Sequence, residues 1–334
     1  MVGSSLNPVS TNPATVAIRS AVRDCLSGCS AGDTVLVAVS GGADSLALAA
    51  ALVPESKNAL INLVGVTIDH QLQKNSGDQA TKVFAQLSEL GISQIEIVKV
   101  DVEMIDGLEA SARRARYAAL DAVAEKHNAK LIFLGHTLND QAESVLLGLA
   151  RGSGARSLSG MARCTGKYCR PLLEITRSET LAACTENNLT PWIDPHNSDS
   201  QFARVRVRTN ALPKLEESIG PGITEALARS ADLLRDDADA LDGWATQVAD
   251  GLDLADLEIT VLAELPKAVR TRLLRMAIYA AGAPMGSITA DHLASVEALV
   301  TSWHGQGACS LPGGVKVCRI SGRLSLSKPI QPAK

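Results

Sequence analysis

Ser40-Gly41-Gly42-Ala43-Asp44-Ser45 stands between an apolar run at residues 34–39 and a helical pattern that begins at residue 46. Two adjacent glycines permit a tight turn, and a helix starting there offers unpaired N–H groups of positive dipole character to an anion. Ser40 and Ser45 add hydroxyl donors, and Asp44 is placed to hold a Mg²⁺ that bridges phosphates. The turn is not a Walker A loop, because the lysine of G-x-x-x-x-G-K-[ST] is absent. A plain glycine turn capped by Asp44 or Ser45 accounts for the same residues, but its place after the first strand favours phosphate. Asp140 and Glu143, spaced i,i+3 at another helix start, are paired carboxylates on one helical face, a residue type suited to proton transfer. A solvated helix start favoured by the dipole is the plainer reading of that pair. His136 precedes them and is placed to contact a nucleotide, while Arg113 with Arg116 and Arg204 with Arg208 have helical spacings suited to phosphate or base. An exposed basic helix face explains the first arginine pair equally well.

The elements that must carry these residues follow a βα rhythm. Apolar runs at 34–39, 62–68, 95–100 and 130–134 show little polar alternation, and helical patterns follow at 46–53, 79–90, 109–126 and 140–149. Pro54 is expected to stop the first of these helices. Such strands indicate a parallel sheet covered by helices on both faces, with ligands bound beyond the carboxyl ends of the strands. Residues 40–45 and 136–140 both fall at such ends. From 151 to 215 the texture is Gly, Ser, Pro and Arg, expected to form loops at the sheet's mouth. Residues 216–300 read as helical and 309–326 as short strands joined by turns, so the chain divides into an N-terminal α/β domain, 1–215, and a smaller, helical C-terminal domain, 216–334.

Among 334 residues there are 32 Lys and Arg against 36 Asp and Glu, a net charge of −4, and only 3% aromatics. These values disfavour an aromatic stacking platform and a uniformly basic nucleic-acid sleeve. By segment, however, the net charge is −5 over 1–150, +5 over 151–215, −9 over 216–308 and +5 over 309–334. Two basic islands separated by an acidic block suit a polyanion held by two zones. Seven cysteines, at 25, 29, 164, 169, 184, 309 and 318, contain no C-x-x-C, so reduced thiols packed as small residues are expected. The first fifteen residues do not resemble a signal peptide, and no run of 18 apolar residues marks a membrane span. A cytoplasmic location follows as an expectation.

The turn at 40–45 resembles the S-G-G-x-D-S PP-loop of the N-type ATP pyrophosphatases, Rossmann-like α/β enzymes. Further segments are similar to the tRNA(Ile)-lysidine synthase family. They include Ile68-Asp69-His70, the E-A-x-A-R-x-x-R-Y pattern over 109–117 that contains Arg113 and Arg116, and His136 with Asp140-Gln141-Ala142-Glu143. Arg151-Gly152, Arg170-Pro171-Leu172-Leu173, Trp192 with Asp194 and Asn197, and Arg204 with Arg206 and Arg208 continue the series to about residue 215. Leu311-Pro312-Gly313-Gly314 with Arg319 and Arg323 resembles the family's C-terminal region. Gln73, Thr137, Asn139 and Val205 depart from the family pattern, and Asn139 supplies an acceptor where a charge is usual.

The resemblance implies ligation of L-lysine to C2 of the wobble cytidine of a CAU-anticodon tRNA(Ile), through an adenylated cytidine, with release of AMP and pyrophosphate. ATP and Mg²⁺ are implied, with 40–45 and His136 on ATP, Asp44 on the metal, Asp44, Asp140 and Glu143 as the catalytic carboxylates, and the four arginines on tRNA or the intermediate. The modified base would pair with A in place of G, changing the codon read from AUG to AUA and the amino acid from Met to Ile. A tRNA thiolase, a small-molecule amide-forming ATP pyrophosphatase and a non-catalytic RNA-binding module remain alternatives. The residues leave the oligomeric state, including a homodimer, open.

Overall fold

The computed structural model describes residues 12–71, 76–101, 107–152, 154–194 and 199–327. Gln73 and Asn197 lie outside them. The N-terminal part is built on strands β1 (Thr34–Ala38), β2 (Asn62–Asp69), β3 (Gln94–Lys99) and β4 (Ala129–Phe133), extended by the short β5 (Cys164–Thr165) and β6 (Tyr168–Cys169). Their order is β3-β2-β1-β4-β6-β5, parallel throughout except for β5.

Central strand β1 is apolar on both sides because both sides are covered. Val35 and Val37 pack with α1 (Pro13–Leu26), α2 (Ala43–Asn58), α3 (Ser76–Glu89) and α7 (Arg177–Glu186), whereas Leu36 and Ala38 join Val64, Val66 and Leu120 of α4 (Leu108–Lys126). Strand order reverses at β1, since β2 and β3 run to one side and β4 and β6 to the other. The crevice at such a reversal is where open α/β sheets bind ligands. Two turns meet there, the one after β1 leading into α2 and the one after β4 leading into α5 (Leu138–Ala150).

The structure corrects two sequence expectations in this part. Helix α2 does not stop at Pro54 but continues to Asn58. Burial of Leu48, Leu52, Glu55 and Ser56 holds the chain helical past the proline, against the ordinary cost of its missing N–H. Residues 151–215 are not mainly loop either, for they contain α6 (Ala155–Leu158), the β5–β6 hairpin, α7, α8 (Ala203–Arg206) and α9 (Leu212–Ile219). These elements are too short to reveal a period.

Close contacts divide the chain into Met1–Leu234 and Arg235–Lys334, with α10 (Ile223–Ala249) running across the division. The second unit holds β7 (Asp256–Glu258), α11 (Ile259–Glu264), α12 (Lys267–Ala280), α13 (Ala290–Thr301), β8 (Cys309–Ser310), β9 (Lys316–Ile320) and β10 (Arg323–Ser327). Its antiparallel sheet has the order β7-β10-β9-β8 and packs Val317, Leu324 and Leu326 against Leu273, Leu274, Ala277 and Val296. Strand β7 lies inside the stretch expected to be helical, and only its pairing with β10 makes it a strand. No helix among the described residues is long and apolar enough to cross a membrane.

Helix α1 is fastened to α2 by charge as well as by packing. Buried Glu55 accepts from Arg19 Nε at 2.7 Å and from Arg23 Nε at 3.0 Å and Nη2 at 3.1 Å. Glu55→Ala is expected to cost about 2 kcal/mol, less than a fully buried broken pair because both arginines can turn to water. A lower urea midpoint at unchanged slope is the corresponding measurement.

Candidate active site

The turn after β1 is braced from within. Ser45 Oγ accepts from Ser40 N at 3.2 Å and donates to Gly42 O at 3.0 Å, and Gly41 O accepts from Trp192 N at 2.8 Å. Gly41 has φ +87°, and a Cβ on it would come within 2.8 Å of Val83 Cγ2, so both conformation and space require glycine there. At the start of α2, Gly42 makes no side-chain cap. Two other helices that begin at the mouth have internal acceptors: Asp140 Oδ2 takes Thr137 N at 2.9 Å in α5, and Thr176 with Glu179 forms a capping box in α7. Helix α2 thus keeps its first-turn N–H groups for an outside anion, and neither Asp44 nor Ser45 acts as the cap.

The turn after β4 lies against the first. A Cβ on Gly135 would come within 3.0 Å of Asp44 C and Ser45 N, which are backbone atoms and cannot yield as a side chain would.

Three carboxylates and three guanidinium groups meet beyond these turns. Arg177, the first residue of α7, reaches Asp44 Oδ2 at 3.5 Å, Asp140 Oδ1 at 3.2 Å and Glu143 Oε1 at 3.7 Å. Arg208 grips fully buried Glu143 in bidentate fashion at 2.7 and 3.1 Å and lies 3.6 Å from Asp140. Arg204 Nε stands 3.3 Å from Glu143 Oε2, and its Nη2 donates to Ser144 Oγ at 2.8 Å. Thr180 Oγ1 donates to Asp44 Oδ1, and Asn139 Oδ1 accepts from the backbone N–H of Arg177 at 2.9 Å. Asn139, neutral where a carboxylate is usual, therefore fastens α7 to the start of α5.

The environment separates the two aspartates. Burial pushes Asp44 above the usual carboxylate range, against the pull of Thr180 and Arg177. Burial also opposes ionisation of Asp140, but Arg177, His136, the Thr137 N–H and Arg204 together hold it below that range. Burial pushes His136 down to about 3, so its ring is neutral near pH 7, and its buried Nδ1 has no partner among the described residues. His70 is lowered by burial and by Arg116, and its Nδ1 is likewise without a partner there.

Beside the turn, at the carboxyl ends of β1 and β2, lies a cavity of about 170 Å³ lined by Ser40, Asp69, His70, Gln79, Arg116 and Trp192 among others. Arg116 forms part of its wall. Arg113 does not join it, since its guanidinium lies over the Tyr117 ring at 4.9 Å and donates to Tyr117 Oη at 3.2 Å. The structure thus brings Ser40 to Ser45, His136, Asp140, Glu143, Arg204 and Arg208 to one mouth, with Arg116 in the cavity wall and Arg113 engaged by Tyr117. Sequence reasoning missed Arg177 and Thr180. Their one local signal was the T-x-x-E capping box at Thr176 and Glu179, which marks a helix start aimed at the mouth.

Residues 15–215 match a family described as PP-loop domain, and residues 257–325 match one described as TilS substrate binding domain. The tRNA(Ile)-lysidine synthase of Thermobifida fusca is 50% identical over 317 residues, covering 94% of this chain and 98% of that protein. The synthase of Streptomyces coelicolor is 52% identical over 295 residues, covering 87% and 84%. The chain belongs to the tRNA(Ile)-lysidine synthase family. Its fold is also similar to that of a U34-tRNA thiolase from Methanococcus maripaludis, with a TM-score of 0.55 at 20% identity over 66% of this chain and 78% of the other. That likeness concerns the fold. Of the departures from the family pattern, Thr137 donates to Asp140, Asn139 accepts from Arg177, and Val205 is buried.

A Cβ at Gly135 would crowd backbone atoms that must shift to admit it, so Gly135→Ala is expected to press the two turns apart, costing about 1–3 kcal/mol of stability. ATP affinity should fall more than the stability loss alone would cause, which equilibrium binding below the unfolding transition can measure.

Proposed function

We propose that this chain joins L-lysine to C2 of the wobble cytidine of CAU-anticodon tRNA(Ile) at the expense of ATP, in the cytoplasm. The observation that carries this reading is the convergence of an uncapped helix N-terminus and a carboxylate–guanidinium cluster at the strand-order reversal. The family's membership and names support it.

In this reading the triphosphate lies on the free N–H groups of α2 and the hydroxyl of Ser40. The nucleoside enters the cavity beside Trp192, and the orphaned Nδ1 atoms of His70 and His136 become hydrogen-bonding partners. Cytidine O2 then attacks the α-phosphorus and pyrophosphate departs, its negative charge drawn by the helix dipole and nearby guanidinium groups. Lysine Nζ next attacks C2 of the activated ring, forming the carbon–nitrogen bond as AMP leaves. The amine must be neutral to attack. Arg177, Arg204 and Arg208 lower its proton affinity, and Asp140 or Glu143 receives the proton. Arg113 and Arg116, on the neighbouring helix, contact tRNA or the adenylated intermediate.

The donor set fits Mg²⁺ held by Asp44 together with substrate phosphates, because Asp44 is the carboxylate beside the turn. It does not fit a cage made by protein alone, since Arg177 stands among all three carboxylates. When bound, the ion would neutralise charge on the departing pyrophosphate.

A thiolase would need a reactive sulfur at the mouth. Cys184 lies beneath the turn and donates to Ala43 O at 3.4 Å, and burial with Asp44 nearby pushes its thiol to about 11, which keeps it protonated.

The test incubates purified chain with ATP, Mg²⁺, labelled lysine and a CAU-anticodon tRNA transcript. Label is expected to enter the RNA with AMP release, and Asp44→Asn should reduce incorporation by about a hundredfold or more. Unlabelled RNA from active, folded chain would overturn the reading. Arg204→Ala and Arg208→Ala are each expected to lower tRNA-dependent turnover more than ATP affinity, and unchanged turnover in both would remove their assigned roles.

A further inference from the structure

At the β5–β6 edge of the sheet, three cysteines from three elements converge. Cys25 comes from the last turn of α1, Cys164 from β5 and Cys169 from β6, and their sulfur atoms all lie within 4.8 Å of one another. Reduced thiols packed as small residues were the sequence expectation, and the structure departs from it. Cys164 and Cys169 are joined as a disulfide, with Cα atoms 4.4 Å apart, while Cys25 is a free thiol. Their spacing along the chain concealed this. Cys164 and Cys169 face each other only because the hairpin pairs them directly, and Cys25 lies far off in sequence. Cys29, its i,i+4 partner in the sequence, lies beyond the end of α1 and outside the cluster.

We propose that Cys25, Cys164 and Cys169 form a zinc site, filled when all three are thiolates and emptied when Cys164 and Cys169 join. Three thiolates are a soft donor set that selects a thiophilic cation such as Zn²⁺ over Mg²⁺ or Ca²⁺. Cys169 is buried and Cys25 is half-buried, whereas Cys164 is exposed, so two ligands are fixed by packing and the fourth coordination position opens to water. Zinc with three thiolates carries a net negative charge, and Arg163 is placed to offset it. Its guanidinium interacts with Cys25, donates to Ala21 O at 3.2 Å, and faces Asp24 at 3.5 Å and Glu174 at 3.9 Å. The ion would pin α1 to the edge hairpin, whose Cys169 carbonyl accepts from Leu134 N at 2.9 Å just before Gly135.

The joined state is the oxidised one. A disulfide such as oxidised glutathione takes one electron from each of the Cys164 and Cys169 thiolates. The sulfur–sulfur bond forms, the oxidant leaves as two thiols after taking up two protons, and Zn²⁺ departs as Cys25 regains a proton.

The site is tested on the full, tag-free chain, reduced and freed of metal, then titrated with Co²⁺ as a spectroscopic probe and with Zn²⁺ against a chromophoric chelator. The expected result is about one equivalent bound, with sulfur-to-cobalt charge transfer and the strong visible bands of a tetrahedral ion. Cys25→Ser and Cys164→Ser should each weaken binding about tenfold or more, and Cys29→Ser should leave it unchanged. Oxidised glutathione should release the ion while peptide mapping finds Cys164 joined to Cys169. Circular dichroism confirms that each variant is folded. Substoichiometric uptake by the reduced chain, or full binding by a folded Cys25→Ser/Cys164→Ser double variant, would overturn the proposal. None of these readouts depends on lysine transfer.

Discussion

A Cβ on Gly135 would stand 3.0 Å from backbone atoms of Asp44 and Ser45, and the mouth of the N-terminal unit depends on that close approach. It sets the separation between the turn after β1 and the turn after β4. Everything downstream of those turns inherits the spacing: α2 offers its uncapped end beside the start of α5, and Asp140 and Glu143 come within reach of the same arginine as Asp44.

Gathering six charged groups around two buried carboxylates, Asp140 and Glu143, is costly unless each is matched. Here the matching is nearly complete, since Glu143 has a bidentate partner, Asp140 shares two guanidinium groups, and Asp44 has Thr180 as well as Arg177. The lattice is also multiply braced, with Arg177 held from its backbone by Asn139 and from its side chain by three acids. Removing one member leaves the others paired in part, so the cluster can exchange a guanidinium contact for a substrate contact without stranding a charge.

The fold of the N-terminal unit was legible because its strands are short, apolar on both sides and regularly followed by helices. Residues 40–45, 136, 140 and 143 were legible because they sit at strand ends, where position alone gives them meaning. Arg177 was not, since nothing in an isolated Thr-Arg-Ser-Glu segment says that its helix turns back to the mouth. The distinction between Arg113 and Arg116 was invisible for a similar reason. Both lie on one helix, but a neighbouring tyrosine claims the first and the cavity wall includes the second. Strand β7 and the three-cysteine cluster depend on partners distant in sequence, to which neither composition nor period is sensitive.

Asn139 carries a further consequence. With an amide at that position the ion-pair cluster holds as many guanidinium groups as carboxylates, three of each, so it is close to electroneutral in itself. A carboxylate there would tip the balance to negative and make the pocket attractive to any stray cation. A neutral lattice has no such appetite. Under the proposed function it would admit the ammonium and the nucleotide together, each supplying the counter-charge that the protein has already spent on itself.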